Sequence, residues 1–150
     1  IYTCELDDRC PGLVEFPLEE VMNDCQTGYF NNTVAYAIGF AIAAKVAEIH
    51  LYGIDFSYKG YVHFAVAGRA NCEFLLSIAI SRGIKVGIAQ DSSLLDTNEP
   101  VQSKLYGYHR LAEPLVVGLE NGRFVAKKYS EVKDSLPTND PMLPPEALRT

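Results

Sequence analysis

Asp55 and His63 are the residues of this 150-residue chain whose types and spacing best suit chemistry. Asp55 stands in Gly53-Ile54-Asp55-Phe56-Ser57-Tyr58, just past an apolar run, 48–52 (EIHLY), that reads as a strand. An acid beyond a strand's C-terminal end is placed to accept from a ribose hydroxyl or to hold a metal; the plainer alternative is a turn or helix-capping acid. Gly53 permits close backbone approach. His63 falls in a stretch, 58–69, that reads as irregular. A loop histidine near such a strand end is a general acid or base candidate, because imidazole ordinarily titrates near neutral pH. Ser92-Ser93-Leu94-Leu95 follows a second short apolar strand, 84–89 (IKVGIA), on the side where Asp55 is expected to emerge.

These residues need elements to position them. Thr27-Gly28 opens the central unit, 26–58, and Asn31, Asn32 and Thr33 can each cap a helix that runs to about 47. That helix is apolar nearly all round, through Val34, Ala35, Ile38, Ala41, Ile42 and Val46, as expected between a sheet and another layer. Its N-terminus offers free N–H groups and a partial positive charge to a phosphate or carboxylate. A second helix is expected over 69–82, with Phe74, Leu75, Ile78 and Ala79 inward and Gly83 ending it. The two strands then become parallel neighbours across a right-handed crossover.

The flanks are plainer. Short strands are expected over 1–6 and 13–16, separated by a Cys10-Pro11-Gly12 turn, with one or two helical turns over 18–25. Asp7-Asp8 reads as a solvated strand end rather than a metal pair. Tyr106, Tyr108, His109 and Arg110 cluster in KLYGYHR; aromatics beside bases stack on a nucleobase or hold phosphate, or simply form an amphipathic turn. Residues 114–128 predict a hairpin about Asn121-Gly122, a short helix follows over 129–135, and the proline-rich segment 136–150 predicts an extended tail or an arm for a neighbouring subunit.

Composition bounds the classes. The length suits one α/β domain, 1–135, followed by the tail. A net charge of −6 argues against a broad nucleic-acid surface. The four cysteines form no CxxC pair and no zinc spacing, which predicts reduced, buried thiols and a cytoplasmic setting. The apolar run 34–47 is interrupted by Lys45 and rich in alanine, predicting a core helix and no membrane span. The first residues lack the pattern of a signal peptide. The chain begins at Ile1 rather than Met, which fits a processed or trimmed piece or an omitted upstream portion.

The order TGYF…AYAIGFAIAAKVAEIHLYGIDFSY, then His63, then CEFLLSIAISRGIKV and SSLL resembles the C-terminal part of the bacterial sialyltransferases of glycosyltransferase family 42. It is equally similar to their DUF115 relatives, which include archaeal 6-hydroxymethylpterin pyrophosphokinases and flagellin-glycosylation factors, and to proteins of bacteriophages. The resemblance covers about 26–95, carried by Thr27-Gly28, Gly53 to Phe56, His63, Glu73-Phe74-Leu75 and Ser93-Leu94-Leu95. It implies a Rossmann-like three-layer domain with a mainly parallel sheet. It also implies a pocket for a CMP-like nucleotide lined by Thr27, Gly28, Asn31, Gly53, Asp55, Phe56, Ser57, Tyr58 and Ser93, with Ser57 or Tyr58 near the phosphate and His63 as base. No metal is required where hydroxyls stabilise the leaving phosphate. Only Lys59 to Val62 stand where the sialyltransferases carry a long lid.

Two functions follow as expectations. One is a transferase using a nucleotide-activated donor, glycosyl or pyrophosphoryl, acting as a homo-oligomer. The other is a non-catalytic nucleotide-binding or assembly module of a bacteriophage.

Overall fold

The helices of the computed structural model, which describes residues 1–58 and 60–135, start and stop for local reasons. α1 (Leu18–Cys25) follows Pro17, carries Glu19 and Glu20 in its first turn, where the helix dipole favours anions, and ends as Gln26 turns left-handed at φ 53°. α2 (Thr33–Ala43) is capped by Asn32, whose Oδ1 accepts from the Ala35 N–H at 3.0 Å. α3 (Val62–Ser81) is the longest element, and Gly83 follows it at φ +82°. The helix therefore begins inside the stretch 58–69 that reads as irregular, because the weak alternation of YVHFAVAG masks a continuous helical register.

The chain divides into two compact units. The first comprises Ile1–Ile49 and Ala70–Val86. α1 gives it buried Val21 and Cys25, and α2 gives Ala35, Ile38 and Ile42. Gly39 on α2 is a contact requirement: a Cβ there would lie 2.6 Å from Phe30 Cε1 and 3.0 Å from Val21 Cγ1. The α3 portion in this unit buries Asn71, Cys72, Leu75, Leu76 and Ala79, a stripe of helical period. Each buried leucine contributes about 1.5–3 kcal/mol. Phe74, expected on the inner face, is 49% exposed, since the buried stripe is centred about 130° round the helix from it.

The sheets correct the expected architecture. The strands form three separate two-stranded sheets, and no three-layer Rossmann-like domain with a mainly parallel sheet exists among the described residues. β1 (Tyr2–Thr3) pairs in parallel with β2 (Val14–Glu15), Tyr2 opposite Val14. Each is two residues long. Thr3 Oγ1 accepts from the Glu5 N–H at 3.3 Å and donates to the Glu5 carbonyl at 3.0 Å, a local turn that withdraws the chain from the ladder. Pro17 closes the other side.

β3 (Glu48–Leu51) and β4 (Lys85–Ile88) form the second sheet. Lys85 N–H donates to the Ala47 carbonyl at 3.0 Å and Ala89 N–H to the Leu51 carbonyl at 3.1 Å, so the partners advance in the same direction and the pairing is parallel. With α3 between them they make one βαβ crossover, but neither strand extends to a third.

The second unit comprises His50–Arg69 and, within the described residues, 87–135. Gly87 in β4 lies against the His50 ring, where a Cβ would fall 2.5 Å from Nδ1. β5 (Leu115–Glu120) and β6 (Arg123–Lys128) form the expected hairpin, with Asn121 at φ 48° and Gly122 at φ 74° supplying the two positive angles of a type I′ turn. Tyr129 N–H donates to the Pro114 carbonyl at 2.8 Å and starts α4 (Tyr129–Val132). Three short 3-10 turns link β4 to the hairpin. The tail 136–150 lies outside the described residues.

Candidate functional site

The two chain segments that leave β3 and β4 at their C-terminal ends are stitched together by serine hydroxyls. Ser92 Oγ, buried, donates to the Ile54 carbonyl at 2.6 Å and accepts from the Leu94 N–H at 3.1 Å. Ser93 Oγ accepts from the Phe56 N–H at 3.0 Å. Between them these bonds hold residues 54–56 against 92–94, and the Phe56 side chain is buried there. Thr97 Oγ1 lies 2.9 Å from the Ala89 carbonyl and 2.8 Å from that of Ser92, closing the second loop on itself.

Asp55 sits at the centre of this arrangement with its carboxylate exposed. Ser57 Oγ donates to Asp55 Oδ2. That bond first, and the Ser93 hydroxyl second, hold the Asp55 carboxyl below the usual carboxylate range; both stabilise the ionised form. The result is a relay from Phe56 N–H through Ser93 Oγ to a fixed, solvent-facing carboxylate.

Strain is concentrated in the same loop. Leu95 and Asp96 take consecutive left-handed conformations, φ 51° and 52°, each costing about 1–2 kcal/mol for a residue with a Cβ. Asp96 Oδ1 accepts from the Arg69 guanidinium at 2.7 Å, tying the strained turn to α3. Arg69 was expected only as the first residue of a helix; no periodic signal links it to Asp96.

His63 lies in the first turn of α3 rather than in a loop, with an exposed side chain that makes no hydrogen bond among the described residues. Tyr58 stacks edge-on to Phe56 at 6.4 Å and tilts against Phe64 at 6.1 Å, so an aromatic series runs from the Asp55 loop to the residue beside His63. Gly53, at φ +65°, makes the bend out of β3 and has open space at its Cα.

Thr27, Gly28 and Asn31 belong to the first unit, where their polar groups build the loop itself. Thr27 Oγ1 accepts from the Tyr29 N–H at 3.1 Å. Asn31 Nδ2 donates to Tyr29 OH at 2.9 Å, and Asn31 Oδ1 accepts from Asn32 at 2.7 Å. Fully buried Asn71 completes that loop: Oδ1 accepts from the Asn31 N–H at 3.1 Å and Nδ2 donates to the Tyr29 carbonyl at 2.8 Å. Of the expected site residues, Thr27 and Asn31 each bond Tyr29 within the first unit, and Asp55, Phe56, Ser57 and Ser93 are linked by hydrogen bonds within the second.

The KLYGYHR cluster stays at the surface. Tyr106 is 84% exposed and the Arg110 guanidinium lies 5.4 Å over one face of its ring. All four cysteines are free; Cys4 and Cys10 are exposed, against expectation, while burial pushes the thiols of Cys25 and Cys72 up. No group of three or more metal-ligating side chains stands together among the described residues. α3 is long and apolar enough to cross a membrane by length and composition, with 39% of its most apolar window buried.

No protein-family model, no curated protein and no solved structure matches the chain. The roles of these residues rest on their own chemistry.

Proposed function

We propose that the chain is a transferase that binds a nucleotide-activated donor, glycosyl or pyrophosphoryl, at the Asp55 loop. The observation that carries this reading is the Asp55 carboxylate, kept ionised by Ser57 and Ser93 at the C-terminal ends of a parallel strand pair. Such a carboxylate accepts from a ribose hydroxyl, and ligands of open α/β units bind outside those strand ends. Gly53 leaves the backbone open to the sugar, and the Tyr58 hydroxyl, with the first N–H groups of α3, supplies donors to a phosphate. His63 is then the base that takes the acceptor's proton. The strained Leu95–Asp96 turn fits a loop held in one arrangement for binding.

A second reading is a nucleotide-binding or assembly module without turnover. It is favoured by His63 itself, since no described side chain orients the ring as an activated base requires.

Calorimetric titration with CMP and with other nucleoside mono- and diphosphates at millimolar concentration tests both. Binding that is lost in Asp55→Asn supports the site. Turnover of an activated donor that disappears in His63→Ala, with nucleotide affinity nearly unchanged, selects the transferase. A wild-type chain that binds none of these nucleotides rejects both readings.

A further inference from the structure

The first unit contains a cavity that the nucleotide reading does not use. It measures 580 Å3, within the range of small-molecule sites, and lies between β1, β2 and α2. Its walls are aromatic, from Tyr2, Phe16, Tyr36 and Phe40. Tyr2 and Phe40 meet at 4.7 Å and 51°, Phe16 and Tyr36 at 5.3 Å and 89°, and Tyr2 and Phe16 at 6.2 Å and 85°. Two of these pairs are edge-to-face and the Tyr2–Phe40 pair is tilted, so the rings are not stacked flat on one another. Ring faces carry the negative lobe of the quadrupole and attract cations.

Charge points the same way. Glu15 is the one ionic side chain lining the cavity, its carboxylate is exposed, and no lysine or arginine lines it among the described residues. An anionic ligand meets repulsion there and finds no donor of opposite charge. A metal ion finds a single carboxylate there. The net charge of −6 adds attraction for cations at longer range. The volume exceeds what a bare ammonium group fills, and the remaining lining is mostly apolar, with Thr3 and Thr33 among the rings.

We propose that this cavity binds a small organic monocation with an apolar body, of the alkyl- or arylammonium class, its head between the ring faces and the Glu15 carboxylate. Nothing in this assignment depends on the Asp55 loop.

The probes are benzyltrimethylammonium, choline, and dimethylbutanol, which is choline's uncharged carbon isostere, each titrated into the full chain and followed by proton NMR. The N-methyl protons of both cations move upfield under the ring currents, and choline binds about tenfold more tightly than dimethylbutanol. The aryl cation binds more tightly than choline. Glu15→Gln, an isosteric change at an exposed position, weakens both cations about fivefold and leaves dimethylbutanol unchanged. Saturation with benzyltrimethylammonium slows alkylation of Cys4, which lines the cavity, and not of Cys10, which does not; trypsin cleavage after Arg9 separates the two for mass spectrometry. Equal affinity for choline and dimethylbutanol, or unchanged cation affinity in Glu15→Gln, overturns the proposal. So does the absence of any upfield shift at millimolar cation.

Discussion

The Phe56 N–H and the Ser93 hydroxyl, 37 residues apart in sequence, meet at 3.0 Å and fasten the loop after β3 to the loop after β4. The same hydroxyl reaches the Asp55 carboxylate, so one serine serves both the backbone and the charge. Removing it has two separable effects.

Ser93→Ala leaves the Phe56 N–H without its partner and is expected to cost about 1–2 kcal/mol in urea unfolding. Because Ser57 is the larger cause of the depressed Asp55 value, the carboxyl titration in this variant moves up only part of the way toward 3.8. NMR of the Asp55 carboxyl carbon reads that shift. A titration unchanged from wild type removes Ser93 from the relay.

Acid dependence follows with a definite sign. The folded Asp55 value lies below the unfolded one, so its contribution is complete above about pH 4 and is lost as pH falls through the folded value. Asp55→Asn is expected to flatten the acid limb of the stability profile while costing less than about 1 kcal/mol at pH 7, since solvent screens an exposed carboxylate. A variant whose loss grows as the pH falls below 4 contradicts this linkage.

Asn71 is the buried clasp of the loop before α2. Asn71→Ala strips the partner from the Asn31 N–H and the Tyr29 carbonyl together, and two orphaned backbone groups cost about 2–4 kcal/mol. Denaturant titration with an unchanged slope checks it. A loss below about 1 kcal/mol means water replaces the amide without penalty.

Gly87 and His50 are expected to be coupled. Gly87→Ala drives a methyl group into the imidazole and costs about 1–3 kcal/mol. In a His50→Ala background the same change costs little, and the double-mutant cycle measures the difference. Additive losses would place the clash elsewhere.

What could be read in the sequence was local. The type I′ turn is written in Asn121-Gly122, and the α2 cap was legible as one of Asn31, Asn32 and Thr33, with Asn32 taking the role, because each is satisfied within a few residues. The start of α3 was not legible: Val62, Phe64 and Val66 alternate with His63 and Ala65 as a strand would, yet all belong to a helix. The Ser92–Ile54 clasp joins positions 38 apart through a hydroxyl and a carbonyl, a pairing that leaves no periodic trace. The expected large sheet failed for a related reason. Apolar runs show that strands exist but not how many neighbours each has; β1 runs two residues, and Thr3's side chain bonds Glu5 just beyond it. The Asp55 position was legible because it follows a strand, while its partners Ser57 and Ser93 gained their meaning only from geometry.

Three sheets of two strands leave every described strand with a single neighbouring strand and one row of amides outside any ladder. In most α/β proteins the slowest amide exchange marks the central strands. Here no strand is central, so the deepest protection belongs to α2 and to the buried stretch of α3 around Leu75 and Leu76. Deuterium enters β1, β2 and the outward positions of β3 and β4 first. The helices are then the last part of this protein to open, and the strands are their dependants.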